Sequence, residues 1–200
     1  MLTICMFGSQ NTYQAILKSN KTVFNLSSLM QLTGNYDKKS LVKSLYYYRR
    51  KGFLISLRSG LYAKPDYNPL ELACSVFSNS YISLQTVLLK AGVIFQFSDK
   101  ITCISGLSRE LVIDGRVFLY RRIKPELWGG MRGIRQECGY YIATPERAVL
   151  DMFYLYPDIG YFDNPSKLDF ALMEDIMCDY KNVQFERRVS KWIKTNICSI

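Results

Sequence analysis

The stretch 37-DKKSLVKSLYYYRRKGFLISLRSGLYAK-64 decides how the chain is read, because a helical period gives way within it to a strand period. With Leu41 at the origin of a helical wheel, Leu45 and Tyr48 fall beside it, while Lys39, Lys43, Tyr46 and Arg50 gather on the opposite side. One face is built to pack and the other to carry positive charge into solvent. Asp37 stands where an N-cap accepts backbone N–H groups, and Gly52 stands where the helix should stop. FLISL and LYAK then alternate as two short strands around the Arg58–Gly60 turn.

The chain before this stretch completes a recognisable order. Residues 9–19, SQNTYQAILKS, begin with capping types and carry Tyr13, Ile16 and Leu17 at helical spacing, predicting a helix that covers one side of a small core. VFNLSSLMQLTG predicts a short extended piece and a second helix on Leu26, Leu29 and Met30, ended by Gly34. Helix, strand, helix, turn, helix and hairpin within about sixty residues is the order of a winged helix-turn-helix.

Charge supports that assignment once it is mapped along the chain. The net charge is +9, and the apolar fraction of 48% is ordinary for a chain that buries a core. Residues 1–66 hold ten Lys or Arg against Asp37 and Asp66, a net +8, whereas residues 67–200 hold sixteen basic and fifteen acidic residues, a net +1. A basic module of residues 1–66 attached to a near-neutral domain of residues 67–200 is the expected organisation, and such a module suits a polyanion. On the helix, Lys38, Lys39, Lys43 and Arg50 are placed to meet phosphates or guanine edges, and Tyr46 or Tyr47 can donate to a phosphate. On the hairpin, Arg58 is placed to reach an adjacent groove, with Lys64 nearer the flanking backbone. The bland alternative is a solvated basic face, or a winged helix used for protein contacts.

Beyond KPDYNP the chain predicts an α+β domain. PLELACSVF reads as a helix starting at Pro69, and SLQTVLLKAG as another with Ser83 as cap and Gly92 as stop, the two joined by SNSYI. ITCIS, ELVI and VFLYRRI are strand-type runs, and Asp114-Gly115 between the last two is a hairpin signal, so a small antiparallel sheet is expected. KPELWGGMRG is a Gly-rich connection, and CGYYIA a further strand. TPERAVLDMFYLYP then starts a helix with Thr144 as N-cap, Pro145 in the first turn and Glu146 beside the positive end of the helix dipole. Two amphipathic helices around Leu168–Tyr180 and Val183–Thr195 follow. The aromatic density of YYIATPERAVLDMFYLYPDIGYF marks part of that segment as a candidate partner surface.

The chemistry the sequence excludes is equally informative. With no histidine anywhere, imidazole-based triads and acid–base schemes are removed. The six cysteines, Cys5, Cys74, Cys103, Cys138, Cys178 and Cys198, form no CxxC pair, so no metal site is expected, and those inside ELACSVF and ITCIS read as buried thiols. Gly8-Ser9 is followed by no Asp-x-Asp pair, which leaves nucleotidyltransfer without metal ligands. Glu146 and Asp151, five apart on one helix, point to different faces and suit helix-end and packing roles. Gly129, Gly130 and Gly133 lack the strand-loop-helix setting of a phosphate loop. No apolar run reaches the roughly twenty residues a membrane span requires, and MLTICMFGSQ lacks the layout of a signal peptide, so a cytoplasmic protein without membrane contact is expected.

Several segments together carry a family resemblance. VFNLSSLMQLTG, the basic helix, KGFLISLRSGLYAK, SNSYISLQTVLLKAGVI and ATPERAVLDMFYL occur in an order that resembles the AbiEi-type antitoxins of type IV toxin-antitoxin systems, over roughly residues 10–156. The resemblance implies an N-terminal winged helix that represses its own operon, bound to double-stranded DNA of its own promoter. It also implies a C-terminal domain that counters a nucleotidyltransferase-like toxin. The expectation is therefore a non-enzymatic, cofactor-free DNA-binding regulator with antitoxin activity. The alternative is an orphan regulator or interaction module with no toxin partner.

Overall fold

The computed structural model describes residues 12–124, 126–127, 130–159 and 161–197. The start of the helix expected from residue 9, Gly8-Ser9, Gly129, Cys5 and Cys198 lie outside the described residues. The fold is mixed α+β and divides into two compact units, Met1–Val76 and Phe77–Ile200.

The first unit holds α1 (12–18), β1 (Val23–Asn25), α2 (Leu26–Thr33), α3 (Lys38–Arg50), the hairpin β2 (Ile55–Arg58) and β3 (Leu61–Ala63), and α4 (Pro69–Val76). Its core is the set of positions the helical and strand periods turn inward: Ile16, Phe24, Leu29, Leu41, Leu45, Tyr48 and Leu54. Leu17, expected to help cover that core, is instead exposed, because α1 reaches the core through Ile16 and through Tyr13, whose ring stacks on Tyr48 and Phe53. β1 and β2 flank β3, each antiparallel to it.

Both ends of α3 are closed as the sequence indicates. The Asp37 carboxylate accepts from Lys39 N at 3.0 Å. At the other end, Phe53 N bonds Tyr48 O and Gly52 N bonds Arg49 O, the paired closure that a left-handed glycine permits. The unit extends to Val76, ten residues beyond residue 66, and so includes α4. Glu71 on this helix is buried and accepts from Thr22 N at 2.8 Å and from Thr22 Oγ1 at 2.6 Å, while Asn68 N donates to the same Thr22 hydroxyl, which ties α4 back to β1.

The second unit is a six-stranded sheet with helices α5 (Gln85–Ala91), α6 (Pro145–Leu155), α7 (Phe170–Met177) and α8 (Val183–Ile197). Its strands are β4 (Ser80–Ile82), β5 (Ile101–Ser105), β6 (Arg109–Ile113), β7 (Arg116–Arg122), β8 (Ile134–Glu137) and β9 (Tyr140–Ala143), in the order β6-β7-β5-β4-β9-β8. The sheet is not the small antiparallel one expected, since β5 pairs parallel with β7 and β4 parallel with β9. The second of these pairings involves a strand the sequence hides. SNSYI looked like a connector because three consecutive buried residues show no alternation, yet it sits in mid-sheet between β5 and β9. The Asp114-Gly115 turn forms as expected, with positive φ at both positions between β6 and β7. Ser83 does not cap α5; its hydroxyl is drawn to Asp151, and Leu84 takes the cap position at φ 58 without a side-chain bond.

Candidate functional site

Two groups of charged residues stand out, one facing solvent in the first unit and one sealed inside the second. In the first unit, burial of Leu41, Leu45 and Tyr48 turns the remaining faces of α3 outward. Lys38, Lys39, Lys43, Tyr46, Tyr47 and Arg50 are all exposed, and Arg58 is exposed at the end of β2, beside a register shift that bends the strand. Tyr47 is partly engaged, edge-on to Tyr48 and with the Lys51 ammonium 5.9 Å from its ring centre.

Among the described residues, no lysine or arginine of this unit is ion-paired. The acids explain why: Asp37, though exposed, is committed to its helix cap and Glu71 is buried on Thr22, which leaves Asp66 as the one remaining exposed carboxylate of the unit. With ten basic and three acidic residues, the unit carries +7. Unpaired cations on one face create a field that attracts polyanions before any contact is made.

Lys64 is already engaged within the unit. Its ammonium donates to Ser19 O at 2.8 Å and Leu17 O at 3.4 Å, which places a positive charge on the carbonyl end of α1. Conversely, Arg49 was not singled out by the wheel but joins Tyr46, Arg50, Leu54, Ile55 and Ser56 in a groove of about 310 Å3 between the C-terminal half of α3 and β2. The signal for Arg49 and Ser56 lies in the packing of the hairpin against the helix, which helical period alone does not encode.

The second group centres on Asp151 and Arg147, one turn apart on α6 and both fully buried. Asp151 Oδ1 accepts from Tyr180 Oη at 2.6 Å and Arg147 Nε at 3.2 Å, and Oδ2 from Ser83 Oγ at 2.7 Å and Tyr81 Oη at 3.0 Å. Arg147 spends its other donors on Gly130 O, Arg132 O, Leu127 O and the Tyr81 hydroxyl, and its guanidinium lies over the Tyr180 ring at 5.1 Å. Burial pushes the Tyr81 and Tyr180 hydroxyls well above the usual phenol range, and the Asp151 charge pushes the same way. Burial works against the Arg147 charge, but Asp151 beside it prevails and holds the guanidinium more firmly protonated than usual.

Every lone pair that Asp151 presents is occupied, so the group has no vacancy for a substrate. It fastens β4, α6, Leu127, Gly130, Arg132 and Tyr180 to one another. Gly133 shows how tightly the loop is drawn in: its φ is +71, and a Cβ there would lie 2.8 Å from Arg147 Cβ and 2.7 Å from Ile176 Cδ1. Glu146 serves a helix end, accepting from Asp169 N at 3.2 Å, while Thr144 Oγ1 caps its own helix on Arg147 N.

The aromatic segment expected to offer a partner surface divides. Tyr140, Phe153 and Phe162 are core, and Tyr161 stands out in solvent. Cys74 and Cys103 are buried, and Cys138 and Cys178 are exposed. Among the described residues no cluster of three His, Cys, Asp or Glu is arranged to hold a metal, and no helix is long and apolar enough to cross a membrane.

No family model and no curated protein matches the chain. Among solved structures, the crystal structure of the RV2827C protein from Mycobacterium tuberculosis aligns with 94% of this chain and 76% of its own at a TM-score of 0.53 and 13% identity, a likeness of fold.

Proposed function

We propose that the first unit is a winged helix-turn-helix that binds double-stranded DNA, and that the protein is a transcriptional regulator of its own promoter. In this scheme α3 enters the major groove, the β2–β3 wing brings Arg58 to the flanking backbone or minor groove, and no reaction is catalysed. The observation that carries it is the uncompensated cationic face of α3, with Lys38, Lys39, Lys43 and Arg50 exposed and free of carboxylate partners. The element order and the short antiparallel hairpin after α3 support it. We further propose, from the AbiEi-type resemblance, that the second unit counters a nucleotidyltransferase-like toxin.

Binding to the chain's own promoter across a salt series tests the DNA assignment. Lys43→Ala and Arg50→Ala are expected to weaken binding and to lower the slope of log affinity against log salt by about 0.9 for each phosphate no longer neutralised. Unchanged affinity and slope in both variants would sink the placement of α3. Co-expression with the adjacent gene product tests the second part: rescue of growth is expected, and continued toxicity would refute it.

A further inference from the structure

The near-neutral total of the second unit hides a division. Residues 181–200 hold Lys181, Arg187, Arg188, Lys191 and Lys194 against Glu186, a net +4, while residues 77–180 hold eleven basic and thirteen acidic residues, a net −2. Almost all of the local excess lies on α8, whose inward face is fixed by the burial of Phe185, Val189 and Ile193. At about 100° per residue, Val183, Arg187, Lys191 and Lys194 then share the opposite, outward stripe. Arg188 turns inward to donate to Phe153 O at 2.9 Å.

Arg187, Lys191 and Lys194 are exposed and, among the described residues, none is ion-paired. They rim a groove of about 600 Å3 whose other walls include Met177 and Val183. Val183, at the first turn of α8, is 61% exposed within the charged stripe. A polyanion would gain nothing from that apolar side chain. A protein segment that sets carboxylates on the three cations and an apolar residue over Val183 uses the whole surface.

We propose that the outward face of α8 is a docking site for an acidic, amphipathic segment of a partner protein. The cations steer and register the segment, and Val183 supplies the apolar contact that holds it. The site is independent of the DNA-binding face on α3.

The test uses the full chain and fluorescence anisotropy with three labelled probes: a helical peptide with Glu on one face and Leu on the other, an all-Glu peptide of equal charge, and a duplex DNA of unrelated sequence. The Glu/Leu peptide is expected to bind about tenfold tighter than the all-Glu peptide. Its affinity should fall by about tenfold or more in Arg187→Glu/Lys191→Glu/Lys194→Glu, a change of the size that three exposed ion pairs supply. Val183→Ser and the milder Lys191→Gln should each weaken it several-fold, which keeps the proposal testable if the triple variant is unstable. Lys43→Ala/Arg50→Ala should leave peptide binding unchanged. Equal binding of the two peptides, or unchanged affinity in the α8 variants, would overturn the proposal. A loss of duplex binding on reversing the α8 charges would overturn it in favour of a nucleic-acid contact.

Discussion

Helices α3 and α6 handle charge in opposite ways. α3 carries Lys38, Lys39, Lys43, Arg49 and Arg50 into solvent with no carboxylate to meet them, so its charges cost little to keep and contribute little to stability. α6 takes one cation and one anion out of water completely, at a desolvation cost of several kcal/mol per ion, offset only because every donor and acceptor is matched. The first arrangement leaves its electrostatic energy available to a partner, and the second consumes all of it internally. That difference separates a surface open to a partner from a structural joint.

The contrast is tested most severely at Asp151. Asp151→Ala strands the Arg147 charge and three hydroxyls in the interior, and is expected to cost about 3–5 kcal/mol. Denaturant unfolding followed by Trp192 fluorescence in the second unit checks it, and a loss below about 1 kcal/mol would mean that the centre relaxes into contact with water.

Alkaline pH attacks the same centre from another side. Tyr81 and Tyr180 keep their protons in the folded chain above the ordinary tyrosine value of 10.0, where the unfolded chain releases them. Their contribution is therefore complete below about pH 10 and declines as pH rises past it, by up to about 1.4 kcal/mol per pH unit for each tyrosine. Tyrosinate absorbance recorded alongside unfolding midpoints reads this directly. Two tyrosines whose ionisation coincides with unfolding are expected, and their disappearance in a Tyr81→Phe/Tyr180→Phe chain confirms the source.

Lys64 separates the two kinds of charge within the first unit. Lys64→Met removes the cation from the end of α1 and should lower stability by about 1 kcal/mol while leaving the salt slope of DNA binding unchanged. The smallest effect belongs to Lys39→Ala, expected within about 0.5 kcal/mol of the parent in unfolding, with its consequence confined to binding.

The first unit was largely readable from sequence because its cues are local. Asp37, Gly34 and Gly52 act on the turns beside them, and the spacing of Leu41, Leu45 and Tyr48 declares the buried face. The bonds of Lys64 are not legible for a non-local reason: where its ammonium goes depends on where the carbonyls of Leu17 and Ser19 arrive, forty-five and more residues earlier. The second unit was readable only in pieces. β5, β6, β7 and β9 announced themselves, but β4 is three residues long and buried throughout, and β8 is the polar sequence IRQE. Neither shows the alternation that marks a half-buried strand. The Arg147–Asp151 centre is illegible for the converse of the reason that makes α3 conspicuous: a matched pair adds nothing to net charge, and its partners lie on three other segments.

The pairing of β4 with β9 across some sixty residues has a consequence for the order in which the polypeptide acquires structure. Residues up to Val76 hold everything the first unit needs and can fold while the rest is being synthesised. β4 emerges with its sheet neighbour β9 and the acceptor for Tyr81 and Ser83 still to be made, and Tyr180 follows almost a hundred residues later. At about 5–20 residues per second, Tyr81 and Ser83 stay without their Asp151 acceptor for roughly 3–14 s. Ribosome-stalled chains probed by brief proteolysis are therefore expected to protect the first unit early and the second only once Tyr180 has emerged; earlier protection would show that the sheet forms without its buried ionic centre.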